Sequence, residues 1–296
     1  MVHDGPVTTL GAVFLPQFPP EQLRAVALAA DDCGLDELWL WEDCFLESGI
    51  ASAAAVLAWT RSLRVAVGLL PVPLRNVALT AMELATLERL FPGRATMALG
   101  HGVQDWMGQV GARRESPITL LREYVIALRA LLDGATVTTS GRYVSLEAVA
   151  LDWPPRPGMR IVVGATGPRT LRLAGELADG TILTGGTSPS GVREARRVIE
   201  EGRTVGRRAD PHRVTVYLLT ATGPDAEHRL DSARRGWGFD LAQDVGVAGS
   251  ADIVAAAVTR WVEAGADTVV LQPTPDEPDP VGFVRFVAEQ VRPLVG

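Results

Sequence analysis

The feature that most constrains the fold is a regular alternation of short apolar runs with helical patterns along the whole chain. Continuous apolar strands are typical of parallel sheets covered on both faces. Eight such units in 296 residues, without a linker between them, predict an α/β fold that closes into a single (β/α)8 or TIM barrel. The strand-like runs are residues 8–15, 37–41, 64–70, 96–99, 160–163, 181–184, 214–220 and 268–271.

Helical patterns separate these runs, and several begin or end at residues that favour helix termini. Proline at positions 20, 117, 168 and 189 suits a first helical turn, and Gly34 suits a left-handed helix end. Residues 136–151 alternate around Ser140 and Gly141, which predicts a hairpin excursion before the fifth strand. No stretch is typical of a domain boundary, so we expect residues 1–296 to form one domain.

Composition and charge exclude several classes of function. The chain has 28 basic and 35 acidic residues, and every basic residue is an arginine, so Schiff-base chemistry on lysine is excluded. No basic cluster indicates a nucleic-acid partner. Cys33 and Cys44 form neither a disulfide framework nor a metal motif, and no metal site is expected. No apolar run is long enough for a membrane span, and we expect a soluble cytoplasmic protein.

A glycine-rich turn, residues 164–170, follows the fifth strand and opens a helix. Glycine lets a ligand come close to the backbone, and the free N–H groups of a helix start favour an anion. The turn therefore predicts a phosphate site, although an ordinary strand–helix turn could need the same glycines. The residues assigned to this site are Val163, Gly164, Ala165, Thr166, Gly167, Pro168, Arg169 and Thr170.

Polar residues follow other strands, and active-site groups of such a barrel come from the C-terminal strand ends. His101 follows the fourth strand between two glycines and would titrate near neutrality, or it is a polar loop residue. Glu42 and Asp43 follow the second strand and could serve as a general acid or as a hydrogen-bonding anchor. Strand alternation predicts that only one of the two faces the pocket. Thr184 ends the sixth strand.

For the other tryptophan and histidine residues considered, the sequence predicts a position in the fold rather than a chemical role. Trp39 and Trp41 are expected in packing, and Trp106 either stacks on a planar ligand or packs. Three histidines have no neighbouring residues in the sequence that indicate a catalytic or metal-binding role, and we expect them at the surface. They are His3, His212 and His228. The pocket is expected between three loops, residues 42–50, 101–117 and 273–280.

Four stretches resemble the bacterial-luciferase-like monooxygenase superfamily, and most closely its branch that uses the deazaflavin coenzyme F420, such as methylenetetrahydromethanopterin reductase. They are GAVFLPQFPPEQL (residues 11–23), VGLLPVPLRNVALTAMELATLERLFPGRATMALGHGV (67–103), VVGATGPRTLRLAGELADGTIL (162–183) and GSADIVAAAVTRWVEAGADTVVLQP (249–273). The resemblance covers nearly the whole chain, and these stretches are its strongest parts. They are specific for the superfamily, less so for the cofactor, and say little about the substrate.

The resemblance implies roles for particular residues. The turn at 164–170 would bind the cofactor's phosphate, and Gly68–Leu69 would form a non-proline cis peptide behind the cofactor ring. Relatives often carry Asp-His after the second strand, where this chain has Glu42, Asp43 and Cys44, so Asp43 is the better candidate there. Further residues assigned to the cofactor are Gly68, Leu69, Pro71, Gly100, His101 and Thr184.

The resemblance also implies an activity. A small organic substrate would exchange a hydride with coenzyme F420, and Asp43, His101 or Glu42 would handle the proton. With flavin mononucleotide (FMN) bound instead, the protein would be a monooxygenase, and a third alternative is a cofactor-binding protein without turnover. Relatives are often dimers, and the small-residue helix at 51–58 would allow a homodimer to pack closely.

Overall fold

The computed structural model describes residues 8–156 and 158–295, which form a strand–helix alternation around one closed sheet. The strands are β1 Thr9–Phe14, β2 Glu37–Leu40, β3 Arg64–Pro71, β4 Ala95–Gly100, β5 Val137–Ser140, β6 Ser145–Val149, β7 Val162–Ala165, β8 Gly180–Leu183, β9 Arg213–Ala221, β10 Gly246–Ala248 and β11 Thr268–Pro273. The helices are α1 Leu23–Asp32, α2 Gly49–Trp59, α3 Val77–Leu90, α4 Gln104–Gln109, α5 Pro117–Leu132, α6 Pro168–Leu177, α7 Pro189–Gly206, α8 Ala226–Gly236, α9 Ala251–Glu263 and α10 Pro280–Arg285.

The sheet is a barrel of eight parallel strands in the order β1-β2-β3-β4-β7-β8-β9-β11, and β11 pairs back onto β1. Thr9 lies opposite Thr268 where the barrel closes. The antiparallel hairpin β5–β6 lies outside the barrel and precedes its fifth strand. The predicted TIM barrel and its hairpin excursion are therefore confirmed.

Helix starts follow the expected capping chemistry. Asn76 accepts a hydrogen bond from the Ala78 N–H at 2.9 Å, and Asp279 accepts one from the Gly282 N–H at 2.8 Å. These bonds satisfy N–H groups that a helix start leaves free. Gly34, which follows the C-cap residue Cys33 of α1, has φ of +70°, the left-handed conformation predicted for it.

The sequence analysis did not predict three elements that the structure contains. Helix α4 lies in the expected loop 101–117, and α8 and β10 lie between residues 221 and 250. Strand β10 extends the sheet beside β9, with Gly246 opposite Leu219. Helix α8 buries only Ala226, Leu230 and Ala233, so its sequence has little apolar pattern to detect. These three side chains, with Trp237 and Phe239, belong to a small apolar cluster separate from the main core.

Helices α6 and α7 contact each other through their backbones. A Cβ atom at Gly175 would lie 2.0 Å from the Ile199 carbonyl oxygen, and one at Gly202 would lie 2.0 Å from the Arg172 carbonyl oxygen. Only glycine permits this approach. The contact fixes α6, the helix that begins at the glycine-rich turn.

At the N-terminal end of the barrel, two aspartates link the strands and helices through ion pairs with arginines and hydrogen bonds to backbone N–H groups. Asp179 forms ion pairs with Arg129 and Arg208 and accepts the Ile161 N–H at 2.7 Å. Burial raises the pKa of Asp179, but these hydrogen bonds outweigh it and hold the pKa below its usual value. Asp267 is bound in a similar way, by an arginine and by a backbone N–H at 2.7 Å.

The surface position predicted for His212 is wrong. Its side chain is buried, and Nε2 lies 2.8 Å from the Thr181 hydroxyl. Burial is the main cause that lowers its pKa to about 4, so the imidazole is neutral at neutral pH. A lone histidine carries no sequence signal for burial, and His3 lies outside the described residues.

In residues 8–156 and 158–295, no helix combines the length and the apolar character needed to cross a membrane.

Candidate active site

A cavity of about 490 Å³ opens at the C-terminal ends of the barrel strands. Residues at the ends of β2, β3, β4, β7, β8 and β11, with Tyr217 from the middle of β9, contribute to its wall, which matches the position of active sites in this architecture. Its lining residues are Trp41, Glu42, Asp43, Gly68, Leu69, Pro71, His101, Gly102, Val103, Trp106, Gly164, Ala165, Thr166, Thr184, Gly185, Tyr217, Trp237, Phe239 and Gln272.

Many of the residues selected from the sequence meet in this wall, namely Glu42, Asp43, Gly68, Leu69, Pro71, His101, Gly164, Ala165, Thr166 and Thr184. The others lie beside it. Val163 is buried in the barrel, and Gly100 packs against Leu69, where a Cβ atom would lie 2.4 Å from Cδ2. Gly167, Pro168, Arg169 and Thr170 form the start of α6, next to the lining residues of the turn.

The wall at β3 is shaped by backbone. The Gly68–Leu69 peptide is cis, as the resemblance implied, and the pairing with β4 shifts between Val67 and Leu70. The Tyr217 hydroxyl donates to the Gly68 carbonyl at 3.3 Å, and a Cβ atom at Gly68 would lie 2.1 Å from that hydroxyl. Only glycine therefore fits beneath Tyr217. A second cis peptide, Cys44–Phe45, was not expected.

Glu42 is held by two partners. Arg75 pairs with both of its carboxylate oxygens, with Nη2 to Oε2 at 2.9 Å, and the Gly49 N–H donates to Oε2 at 2.8 Å. These contacts tie the loop after β2 to the start of α2. Both Glu42 and Asp43 line the cavity after the end of β2 at Leu40, and the Glu42 carboxylate is occupied by these partners.

Asp43 has a different environment from its neighbour. In the part of the chain that the structure describes, no basic side chain pairs with its carboxylate. Burial raises the pKa of Asp43 above its usual value, since removal of water disfavours the charged form. The residue is therefore a carboxyl group at a cavity wall that can hold a proton closer to neutral pH than an exposed aspartate.

His101 connects β4 to the glycine-rich turn. Its Nε2 lies 3.1 Å from the Thr170 hydroxyl, while Nδ1 is buried and has no hydrogen-bond partner among the described residues. Burial lowers the pKa of the imidazole, so the ring is neutral at neutral pH. A neutral imidazole at the cavity wall can accept a proton, and its ring nitrogens donate one hydrogen bond and accept another.

The turn after β7 leaves the start of α6 open. Gly167 precedes the helix, and no side chain of the described residues caps it. A Cβ atom at Gly167 would meet nothing within 4 Å, so there is space in front of the helix. Arg169 is exposed in the first turn and borders a groove shared with Arg122 and Arg172. Uncapped N–H groups beside an arginine suit a phosphate.

Aromatic side chains form much of the wall, and the sequence reasoning missed most of them. Trp41 lines the cavity and stands edge-to-face with Tyr217, with ring centroids 5.4 Å apart, so its assignment to packing is wrong. Trp237 and Phe239 come from the segment between α8 and β10, which was not recognised. Two aromatic residues interleaved with glycines, at 236–239, were the available signal.

The loop at 273–280 was expected to frame the pocket, but its residues do not line the cavity. The preceding residue, Gln272 at the end of β11, does line it. Gln272 is 1% exposed, and its Oε1 has no hydrogen-bond partner among the described residues. Buried polar atoms are nearly always paired, so this oxygen indicates a place for a ligand or a water molecule.

Comparison with known proteins agrees with this geometry. The model of the luciferase-like monooxygenase family matches residues 3–267. The 5,10-methylenetetrahydromethanopterin reductase of Methanolobus tindarius is 30% identical over 248 residues, which cover 83% of this chain and 73% of the relative. The F420-dependent glucose-6-phosphate dehydrogenase of Nakamurella multipartita is 27% identical over 278 residues, 88% of this chain and 82% of that protein.

Solved structures share the fold over nearly the whole chain. An F420-dependent secondary alcohol dehydrogenase in complex with an F420–acetone adduct superposes with a TM-score of 0.87 at 22% identity, covering 98% of this chain and 99% of that one. The oxygenating constituent of 3,6-diketocamphane monooxygenase from Pseudomonas putida, in complex with FMN, gives 0.79 at 17% identity and the same coverage. Because the family model matches most of its length, the chain belongs to the luciferase-like monooxygenase family.

Proposed function

We propose that this protein is an oxidoreductase that uses coenzyme F420 to exchange a hydride with a small organic substrate. The observation that carries the proposal is a single cavity that reaches from the glycine-rich turn at Gly164 to the buried carboxyl of Asp43. The relatives named as F420-dependent support the choice of cofactor.

The residues present fit such a cofactor. The uncapped start of α6, with Thr166 and Arg169, would hold its phosphate, and the backbone at Gly68 and Leu69 would support its ring. When bound, the cofactor supplies a ring carbon that accepts or releases a hydride. The barrel's share is to orient the substrate beside that ring and to exclude water.

We assign the proton to Asp43. In alcohol oxidation the Asp43 carboxylate would accept the hydroxyl proton, while a bound oxidised cofactor would take up the hydride and its two electrons from the broken C–H bond. Reduction of a carbonyl reverses both transfers. Asp43 suits this role because burial raises its pKa towards neutrality. His101 is the second candidate for the proton, and Glu42, whose oxygens are occupied by Arg75 and the Gly49 N–H, positions the loop.

A fluorescence titration with coenzyme F420 and, separately, with FMN tests the proposal. We expect F420 to bind at micromolar concentration or below and FMN to bind at least tenfold more weakly. Binding of neither would contradict the phosphate site and the function together. Tight F420 binding without any substrate-dependent change in its absorbance, across a substrate panel, would instead support a cofactor-binding protein without turnover.

The second candidate function is an FMN-dependent monooxygenase. The family description and the FMN complex of the Pseudomonas putida monooxygenase favour it. It predicts that FMN binds more tightly than F420 and that the reduced, FMN-loaded protein consumes oxygen in proportion to added substrate. Oxygen uptake measured with an electrode separates the two functions.

We also propose that the protein is a homodimer through the face near α2 and α3. Large apolar side chains are exposed there, on α3 and in the loop after β2: Phe45, Leu46, Leu79 and Met82. Exposed apolar patches of this kind commonly mark interfaces. We expect Met82→Glu to convert a dimer to a monomer in sedimentation velocity at 10 µM or about that concentration, while the exposed Ile253→Glu on α9 has no effect. A monomeric wild type would contradict the proposal.

A further inference from the structure

The cavity wall is dominated by aromatic side chains. Trp41, Trp106, Tyr217, Trp237 and Phe239 all line it. Aromatic rings remove a large apolar surface from water when a ligand covers them. This wall therefore favours a substrate whose body is largely apolar.

The charges at the wall disfavour an anion. Among the described residues that line the cavity, the formally charged side chains are the carboxylates of Glu42 and Asp43, and no arginine is included. The chain has no lysine that could supply a positive charge instead. An anionic group in the substrate would thus lose its water beside Asp43 without gaining a cation, which is costly.

The charges do not call for a cation either. Arg75 already neutralises Glu42, and burial shifts Asp43 towards its neutral form. A substrate ammonium would meet a single unpaired carboxyl group, Asp43, whose charged form burial disfavours, and it would lose its own water among the aromatic side chains. A neutral substrate is the remaining match.

Gln272 supplies the specific polar contact. It is 1% exposed, lines the cavity at the end of β11, and leaves Oε1 without a partner among the described residues. The oxygen lies beside the backbone of Gly185, where a Cβ atom would lie 3.1 Å from it and 3.4 Å from Phe239 Cζ, so glycine at 185 keeps a side chain away from it. Because Gln272 lines the cavity, a ligand hydroxyl there can donate to Oε1 or a ligand carbonyl can accept from the amide nitrogen.

We infer that the substrate is a neutral, unphosphorylated molecule with an apolar body, and that Gln272 recognises its hydroxyl or carbonyl group. This inference rests on the proposed function and narrows its substrate class. Gln272 is a specificity-determining residue, whereas Asp43 handles the proton.

Isothermal titration calorimetry on the protein loaded with reduced coenzyme F420 tests the inference, because an alcohol then binds without turnover. Four matched probes differ in one group: 1-phenylethanol, ethylbenzene, 1-phenylethyl phosphate and 1-phenylethylamine. We expect the alcohol to bind at least tenfold more tightly than the phosphate and the amine. Tighter binding of the phosphate or of the amine, or no binding of the alcohol, would overturn the inference.

Two variants isolate the role of the amide. Gln272→Met keeps the length of the side chain but cannot form the hydrogen bond, and we expect it to weaken 1-phenylethanol binding about tenfold. Binding of ethylbenzene should stay within twofold, because that probe makes no hydrogen bond. An equal loss for both probes would assign Gln272 to packing and overturn its proposed role. Gln109→Met, on the exposed side of α4, is the control and should change neither value.

Failure of the proposed function would be visible separately. If F420 does not load, the fluorescence titration fails before any probe is added. The probes are then titrated into the cofactor-free protein, and the same ranking of alcohol over phosphate and amine is still required.

Discussion

The two ends of the barrel differ in how their polar groups are paired and in how much space surrounds them. At the N-terminal end, the half-buried Asp179 and Asp267 each bind at least one arginine and a backbone N–H, and the space left among the strand starts is about 30 Å³. His212 Nδ1 is also buried at this end without a partner among the described residues, but it does not line that space. At the C-terminal end, Gln272 Oε1 and His101 Nδ1 are buried around a cavity of about 490 Å³ and have no hydrogen-bond partner in the part of the chain that the structure describes. Paired groups stabilise a fold, whereas unpaired groups at a cavity are available to a ligand.

The largest expected effect is a loss of catalytic rate when the proton-accepting group at the C-terminal end is removed. Asp43→Asn removes the group that takes the proton, so we expect the rate of hydride transfer to fall by about 10²–10⁴-fold. In alcohol oxidation the wild-type rate should rise with pH through a pKa above the ordinary value of 3.8 for aspartate. Stopped-flow absorbance of F420 with 1-phenylethanol measures both.

The control for this variant is Asp105→Asn on α4, whose side chain is exposed. It should retain the wild-type rate. Asp43→Asn should unfold thermally at or above the wild-type temperature, because burial raises the pKa of Asp43 and its carboxylate has no ion pair among the described residues to lose. A rate within threefold of the wild type would remove Asp43 from the mechanism.

The second-largest expected effect is a loss of stability when the ion pairs at the N-terminal end are removed. Asp179→Ala leaves Arg129 and Arg208 without their shared partner, and we expect the free energy of unfolding to fall by about 3 kcal/mol. The pKa of Asp179 is depressed, so its contribution is present at neutral pH and is lost as pH falls below the ordinary aspartate value. Urea unfolding at pH 7 measures the loss.

The same variant sharpens the comparison between the ends. F420 affinity of Asp179→Ala should remain within twofold of the wild type, since the residue is at the end remote from the cavity. Asp152→Ala, which removes an exposed aspartate, should leave unfolding unchanged. A loss of cofactor affinity with stability intact would contradict the division of roles.

A smaller effect concerns the glycine-rich turn. Arg169→Gln should weaken F420 binding about fivefold, because one charge-assisted contact to the phosphate is lost in a solvent-exposed position. Arg172→Gln is the matched control, since Arg172 lies three residues further along α6 and pairs with Glu201. Fluorescence titration measures both, and equal effects would indicate a general electrostatic attraction rather than a phosphate contact.

The smallest effect is a pH-dependent stability at the cavity end. Both carboxylate oxygens of Glu47, in the loop after β2, are buried without partners among the described residues, and burial raises its pKa to about 7. Between pH 4.5 and 7 the native protein keeps a proton that the unfolded chain releases, so stability falls as pH rises.

Glu47→Gln should remove this dependence. With allowance for partial exposure, we expect the variant to be more stable by about 1 kcal/mol at pH 8 and unchanged at pH 4.5. Urea unfolding at the two pH values tests this. Equal stability at pH 8 would show that the Glu47 carboxylate is solvated.

The barrel could be predicted from the sequence because its strands are continuous apolar runs and its helices have proline or glycine at their ends. The strand-end rule also found Asp43, His101 and the glycine-rich turn, since it depends only on topology. That residues 1–296 form one domain stays a prediction, which a single cooperative unfolding transition would test.

Other parts of the site could not be predicted, for identifiable reasons. Trp237 and Phe239 reach the cavity through a segment between a polar helix and a strand of three residues, and neither has a strong pattern. Gln272 looks like an ordinary polar residue at a strand end, and its significance depends on burial without a partner. His212 was misassigned for the same reason, because burial of a single side chain is a property of the packed structure.

The backbone contact between α6 and α7 has a consequence for how quickly ligands enter and leave. No side chain at Gly175 or Gly202 can rearrange, so the wall beside the glycine-rich turn moves only if both helices move together. Trp237 and Phe239, in contrast, pack on a small cluster outside the main core. We therefore expect this aromatic segment to open first, so that its motion, rather than the turn, sets the residence time of a bound molecule.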